Sequence, residues 1–213
     1  MPRRHACVMA DARQTSEPRA PHGRLVIGVT GATGTAYALR LLDELRAAGW
    51  ESHLVMSEAG ALTAWHETGL RRKALEAKAD VAYNPRDLGA AIASGSLLTD
   101  GMVIAPCSMK TLAAVAHAYD HDLIVRAADV VLKERRRLVL LPREAPFNLA
   151  HLKNMIAVSE MGGIIFPPVP ALYAKPATID DLVAHTVARV LDLFGLHTEN
   201  LARWQGIKPI EAD

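Results

Sequence analysis

The feature that most restricts the fold is a repeated unit: a short apolar run, a turn of small or polar residues, then a segment with helical spacing. Leu25-Val26-Ile27-Gly28-Val29 reads as a buried strand, and Thr30-Gly31-Ala32-Thr33-Gly34 as the turn after it. A helix is predicted over 35–48, with apolar residues at 38, 41, 42 and 45 and Gly49 as its stop. Residues 52–56 predict a second strand that ends at Ser57-Glu58, and 59–68 a helix. A strand over 101–105 runs into Pro106-Cys107-Ser108-Met109 and a helix over 111–117. A helix ending near Lys133 is followed by a strand over 138–141 and by Pro142-Arg143-Glu144. A helix over 151–160, a strand over 163–166 and a long helix over 179–194 complete the pattern. Residues 69–93 give no clear periodicity beyond a turn at Asn84-Pro85.

Strands alternating with helices predict an α/β fold, a single-domain, doubly wound parallel sheet with helices on both faces. In such a sheet every strand's carboxyl end lies on one edge, and ligands bind in the crevice there. The polar segments Gly31-Ala32-Thr33, Ser57, Ser108-Met109-Lys110-Thr111 and Arg143-Glu144 all follow strands, so they are expected to converge. Residues 1–23 are rich in Arg, Pro and polar side chains and lack periodicity; a disordered tail is expected, with the domain over 24–213.

Composition excludes several classes. The formal net charge of +1 gives no support for nucleic-acid binding. Cys7 and Cys107 form neither a disulfide framework nor a metal spacing, which suits a reducing compartment. No apolar run is long enough for a transmembrane helix, so a cytoplasmic location is expected. The nine histidines show no metal-ligand spacing, and no metal is expected.

The polar segments suit particular chemistry. A Gly-x-x-Gly turn before a helix lets backbone amides approach a phosphate, although a plain tight turn reads equally well. The spacing matches neither a dinucleotide fingerprint nor a Walker loop, and Ser108 and Thr111 together with Gly31 favour a mononucleotide such as FMN. Ser108 and Thr111 suit a ligand or a helix cap. Arg126, Asp129 and Lys133 fall on one helical face, and Arg126, Lys133, Arg143 and Arg189, with Tyr173, would make a second phosphate site if they converge. Trp204 suits stacking on a cation or flat ring, or packing of the chain end. Cys107 reads as a buried spectator.

The segments GVTGATG (28–34), ASGS (93–96), MVIAPCSMKTLAAVAH (102–117), LIVRAADVVLKERRRLVLLPREAPF (123–147), HLKNM (151–155) and FPPVPALY (166–173) carry a family resemblance. With them the chain resembles the UbiX-type flavin prenyltransferases, within the wider flavoprotein group that includes flavin-dependent cysteine decarboxylases. The resemblance implies a flavodoxin-like fold and a homododecamer with sites at subunit contacts. It implies transfer of a dimethylallyl group from dimethylallyl phosphate to N5 and C6 of reduced FMN, without a metal. The prenylated FMN would serve a UbiD-type decarboxylase, for example in ubiquinone synthesis. It places FMN against Gly31, Ala32, Thr33, Ser57, Ser108, Met109, Lys110, Thr111 and Arg143. Lys133, Glu144, Tyr173 and Arg189 would meet the prenyl phosphate, with Arg126 close by and Trp204 lining the prenyl pocket. Glu67 matches a family carboxylate, and Glu144 would carry the proton. Thr33 stands where many relatives have Ser, and Tyr119-Asp120-His121-Asp122 departs from a Gly-x-x-x-Asn version. The competing readings are an FMN-dependent decarboxylase and an accessory subunit of an aromatic-acid decarboxylase.

Overall fold

The computed structural model describes residues 22–198 and 203–206; the expected tail therefore lies almost wholly outside the described residues. Six strands form one parallel sheet: β1 (Arg24–Val29), β2 (Glu51–Met56), β3 (Val81–Tyr83), β4 (Gly101–Cys107), β5 (Arg137–Pro142) and β6 (Ile164–Ile165). Their order is β3-β2-β1-β4-β5-β6. That is the doubly wound order of dinucleotide folds, and without the short edge strand β3 it becomes the flavodoxin order. The winding direction reverses between β1 and β4, which makes that seam the expected ligand crevice.

Among the described residues, seven α-helices cover the sheet: α1 (Thr35–Ala47), α2 (Glu58–Thr68), α3 (Arg72–Glu76), α4 (Met109–Ala116), α5 (Leu123–Lys133), α6 (Leu149–Glu160) and α7 (Ile179–Asp192). Strand residues alternate between two cores, as the two-residue period of a strand requires. Leu25, Ile27, Val103, Val139 and Leu141 pack with α1 and α7 on one face. Val26, Met102, Ile104, Leu138 and Leu140 pack with α4 and α5 on the other. Strand residues buried on both sides are why these runs are apolar throughout instead of alternating.

Several elements depart from the sequence reading, the short helix α3 among them, which lies in the stretch 69–93 that showed no periodicity. β3 is present at the edge; three residues are too few to give a period. β4 continues past Ala105 through a cis Ala105–Pro106 bond to Cys107, with a register shift against β5. The helix expected from Thr111 begins at Met109, because Ser108 caps it. No described helix is long and apolar enough to cross a membrane.

Candidate active site

The seam between β1 and β4 is fixed by one hydroxyl. Thr30, 2% exposed, donates to the Pro106 carbonyl at 2.8 Å and accepts from the Ser108 amide at 2.7 Å. This holds the two turns apart at a set spacing, and a crevice of about 520 Å³ opens beside them. Of the residues expected to converge, Gly31, Ser57, Ser108, Lys110 and Thr111 line it, whereas Ala32, Thr33, Met109, Arg143 and Glu144 are not part of its lining. Ser57 caps α2 by accepting from the Gly60 amide at 2.9 Å, and Ser108 caps α4 by accepting from the Thr111 amide at 3.3 Å. Both hydroxyls are thus helix caps that also face the crevice, and the positive ends of two helices point toward it. Arg72 braces the end of β2 by donating to the carbonyls of Met56 and Ser57.

Four further residues line the crevice that periodicity did not single out: Pro85, Arg86, His121 and Asp122. Arg86 and Pro85 follow β3, the strand too short to detect, although the Asn84-Pro85 turn marked the place. Asp122 caps α5 through the Val125 amide at 3.0 Å, and Asp120 pairs with Arg126 at 3.2 Å. The departing loop therefore serves α5 while His121 reaches the crevice.

The amino end of α1 does not offer the open phosphate cradle that Gly31–Gly34 suggested. The Glu67 carboxylate occupies it, accepting from the amides of Gly34 (3.0 Å) and Thr35 (2.9 Å). Burial works against the ionised form. The Thr33 hydroxyl and the Thr35 and Gly34 amides outweigh it and hold the carboxyl below the ordinary glutamate range. Thr33, in the turn before α1, and Glu67, on α2, thus sit together. Tyr37 packs its ring where a Gly34 Cβ would stand, 3.0 Å away, and Arg143 lies close enough to act on its phenol. Arg143 and Glu144 are exposed at the end of β5, tied to β4 by the Arg143 amide on the Cys107 carbonyl at 3.2 Å. Cys107 itself is fully buried, and burial pushes its thiol far above the ordinary range, so it is no nucleophile.

The second cluster of cations does not assemble within one chain. Arg126 is bound to Asp120, to Asp129 at 2.9 Å and to the Ala93 carbonyl at 3.2 Å. Lys133 pairs with Glu134 at 2.6 Å, beside Gly95 of the ASGS segment. Lys133 ends α5 just before β5 begins at Arg137, whereas Glu144 follows the opposite end of that strand. At about 3.3 Å per residue, the two edges lie roughly 20 Å apart. α7 also runs back to the amino edge: the Phe194 ring that follows it lies 5.9 Å from the Arg137 guanidinium. Arg189 is there, paired with Asp192 at 3.1 Å. α7 and α5 cover opposite faces of the sheet. Tyr173 stands in a 3₁₀ turn (Leu172–Ala174), bonded to His185 at 3.1 Å and edge-on to Trp204 with ring centroids 5.4 Å apart. Four groups result: the crevice, the exposed Arg143–Glu144 pair at the end of β5, the Arg126–Lys133 face, and the Tyr173–Arg189–Trp204 group. A larger concavity, about 630 Å³, lies between α1 and α7. It takes no residue from the carboxyl end of a strand, so the site is assigned to the seam.

The chain matches the Flavoprotein family over residues 13–191. It is 55% identical to "Flavin prenyltransferase UbiX" of Neisseria meningitidis serogroup B, over 86% of this chain and 97% of that one. The chain belongs to the UbiX-type flavin prenyltransferases, within the Flavoprotein family. Among solved UbiX-type structures, the crystal structure of AnUbiX (PadA1) in complex with FMN and dimethylallyl pyrophosphate is 47% identical, with a TM-score of 0.85, covering 87% of this chain and 99% of that one. A dodecameric FMN-dependent UbiX-like decarboxylase from Escherichia coli O157:H7 is 51% identical, with a TM-score of 0.84, covering 86% of this chain and 100% of that one.

Proposed function

We propose that this chain is a flavin prenyltransferase, joining a dimethylallyl group from dimethylallyl phosphate to reduced FMN and releasing phosphate. The observation that carries this reading is the likeness to a 47% identical structure whose complex holds FMN and dimethylallyl pyrophosphate, together with a crevice of matching chemistry at the seam. The crevice fits a flavin mononucleotide: hydroxyls at Ser57, Ser108 and Thr111, cations at Lys110 and Arg86, and two helix amino ends. Gly31 packs directly against the start of α2: an added Cβ would stand 2.6 Å from the Ala59 Cβ, so a side chain there must push the turn and α2 apart and deform the crevice wall. Gly31→Ala is therefore expected to weaken FMN binding about tenfold or more, read by flavin fluorescence titration.

Bound reduced flavin supplies an electron-rich ring as the nucleophile. Breaking the carbon–oxygen bond sends the electron pair to the phosphate and leaves an allylic cation. Lys133, Arg126 and Arg189 hold the phosphate anion. Aromatic faces, Trp204 and Tyr173 among them, stabilise the cation and exclude water. Glu144 carries a proton between flavin and phosphate. Glu67 stays ionised and fixes the Thr33 hydroxyl beside the flavin. Leaving-group charge is thus met by side chains of the family's own cationic set, and the reading needs no metal.

Because Glu144 and Lys133 lie at opposite edges of one sheet, the complete site forms between copies of the chain. Exposed apolar stripes suit this: Leu62 and Trp65 on α2, and Leu149, Leu152 and Ile156 along one face of α6. A dodecamer, as in the Escherichia coli O157:H7 relative, is the assembly we propose. The product would pass to a UbiD-type decarboxylase in the cytoplasm. The test is an anaerobic incubation with FMN, dithionite and dimethylallyl phosphate, followed by mass spectrometry of the extracted flavin. A flavin heavier by one C5H8 unit supports the reading; unmodified FMN beside an active control enzyme overturns it.

A further inference from the structure

Asp192 closes α7 with its side chain only 9% exposed, yet two guanidinium groups and an imidazole converge on it. Arg203 makes a two-pronged contact, at 3.0 and 2.8 Å. Arg189 donates at 3.1 Å and His197 lies at 2.6 Å. The carboxyl is held down to about 2, first by the Arg203 hydrogen bonds. Arg203 immediately precedes Trp204, whose ring stands against Tyr173, and Tyr173 in turn is bonded to His185 of α7. One carboxylate therefore ties together the three residues read above as the donor side of the site: Arg189 directly, Trp204 through Arg203, and Tyr173 through Trp204. The described residues 203–206 belong to no strand or helix, and the contacts seen for them are those of the Arg203 and Trp204 side chains.

We propose that Asp192 is a positioning residue for the prenyl-phosphate half of the site: it fixes the Arg189 guanidinium and latches residues 203–206, so that Trp204 stands against Tyr173. This rests on the reading of Arg189, Tyr173 and Trp204 as donor-side residues. Asp192 touches neither flavin nor substrate in this account, and it acts by setting where its neighbours stand before the donor arrives. A two-pronged Arg–carboxylate contact gives the geometric specificity such a latch requires.

The test uses full-length Asp192→Asn, which keeps the shape and removes the charge. The first readout is 19F NMR of protein labelled with 5-fluorotryptophan. The chain has three Trp residues, and Trp204→Phe assigns the resonance that matters. Asp192→Asn should move the Trp204 resonance toward the solvent-exposed position while Trp50 and Trp65 stay in place. Arg203→Ala should reproduce that movement, and the double variant should add nothing to it. The second readout is steady-state kinetics. KM for dimethylallyl phosphate should rise about tenfold or more, kcat should change less than about threefold, and FMN affinity should hold. Arg203→Ala should raise KM less, because Arg189 keeps its partner. An unmoved Trp204 resonance overturns the latch. Movement of all three resonances overturns it too, since that is general damage. Equal loss in kcat, or an unchanged KM, overturns the link to the donor. An inactive wild-type protein refutes the transferase reading and with it the donor-side role. The resonance still decides whether Asp192 holds residues 203–206.

Discussion

Glu144→Gln is expected to slow prenyl transfer by about 10²–10⁴-fold while FMN stays bound, the range that loss of a positioned proton carrier gives. The side chain is exposed at the end of β5 and, among the described residues, accepts only from the neighbouring Ala145 amide, at 3.1 Å. Nothing in the packing depends on its charge, so the variant should fold as the parent does. Glutamine keeps the size and the acceptor oxygen and removes the ability to take up and return a proton. Anaerobic single-turnover assays of prenylated flavin, set beside an FMN titration, separate the two effects. Wild-type turnover in this variant would remove Glu144 from the chemistry, and lost FMN binding would recast it as a cofactor ligand.

Mixing two inactive variants is expected to restore activity. Lys133→Ala removes a cation from the amino edge of the sheet, and Glu144→Gln alters the carboxyl edge of the same sheet. If a site takes Lys133 from one copy and Glu144 from another, it is intact whenever the first copy carries only Glu144→Gln and the second only Lys133→Ala. Random one-to-one assembly then repairs about a quarter of the sites. Co-expression with two affinity tags, followed by sequential purification, yields the mixed assembly. Near-quarter activity establishes a shared site. Activity no greater than that of either parent would mean that both residues act within one chain, or that one of them does not act.

The parts legible in the sequence were those with repetition or position behind them. Five of the six strands could be placed because buried parallel strands are apolar throughout, and the turns after β1, β2 and β4 carry Gly, Ser or Thr. The ends of those strands then pointed to Gly31, Ser57, Ser108 and Thr111, which line one crevice. β3 was missed because Val81-Ala82-Tyr83 is shorter than any usable period, and Arg86 at the crevice was missed with it. The helical face of Arg126, Asp129 and Lys133 was legible, but its distance from Glu144 was not. Sequence proximity brings Lys133 and Glu144 near in number, while an intervening strand carries them to opposite edges. The Glu67 cap on α1 joins two elements 32 residues apart, and no local spacing encodes it. Asp192 was hidden for the same reason. It reads as one more acid in a helical last turn, and only the arrival of residue 203 shows what it holds.

The Thr30 seam and the two sheet edges have a consequence for how the protein behaves on dilution. The crevice is bounded by hydrogen bonds within one chain, so its affinity for flavin belongs largely to the protomer. A donor site that draws on two edges belongs to the assembly and obeys mass action. Flavin retention and turnover would then fall at different protein concentrations: a dilute solution would hold yellow, cofactor-loaded chains with no means of using what they carry.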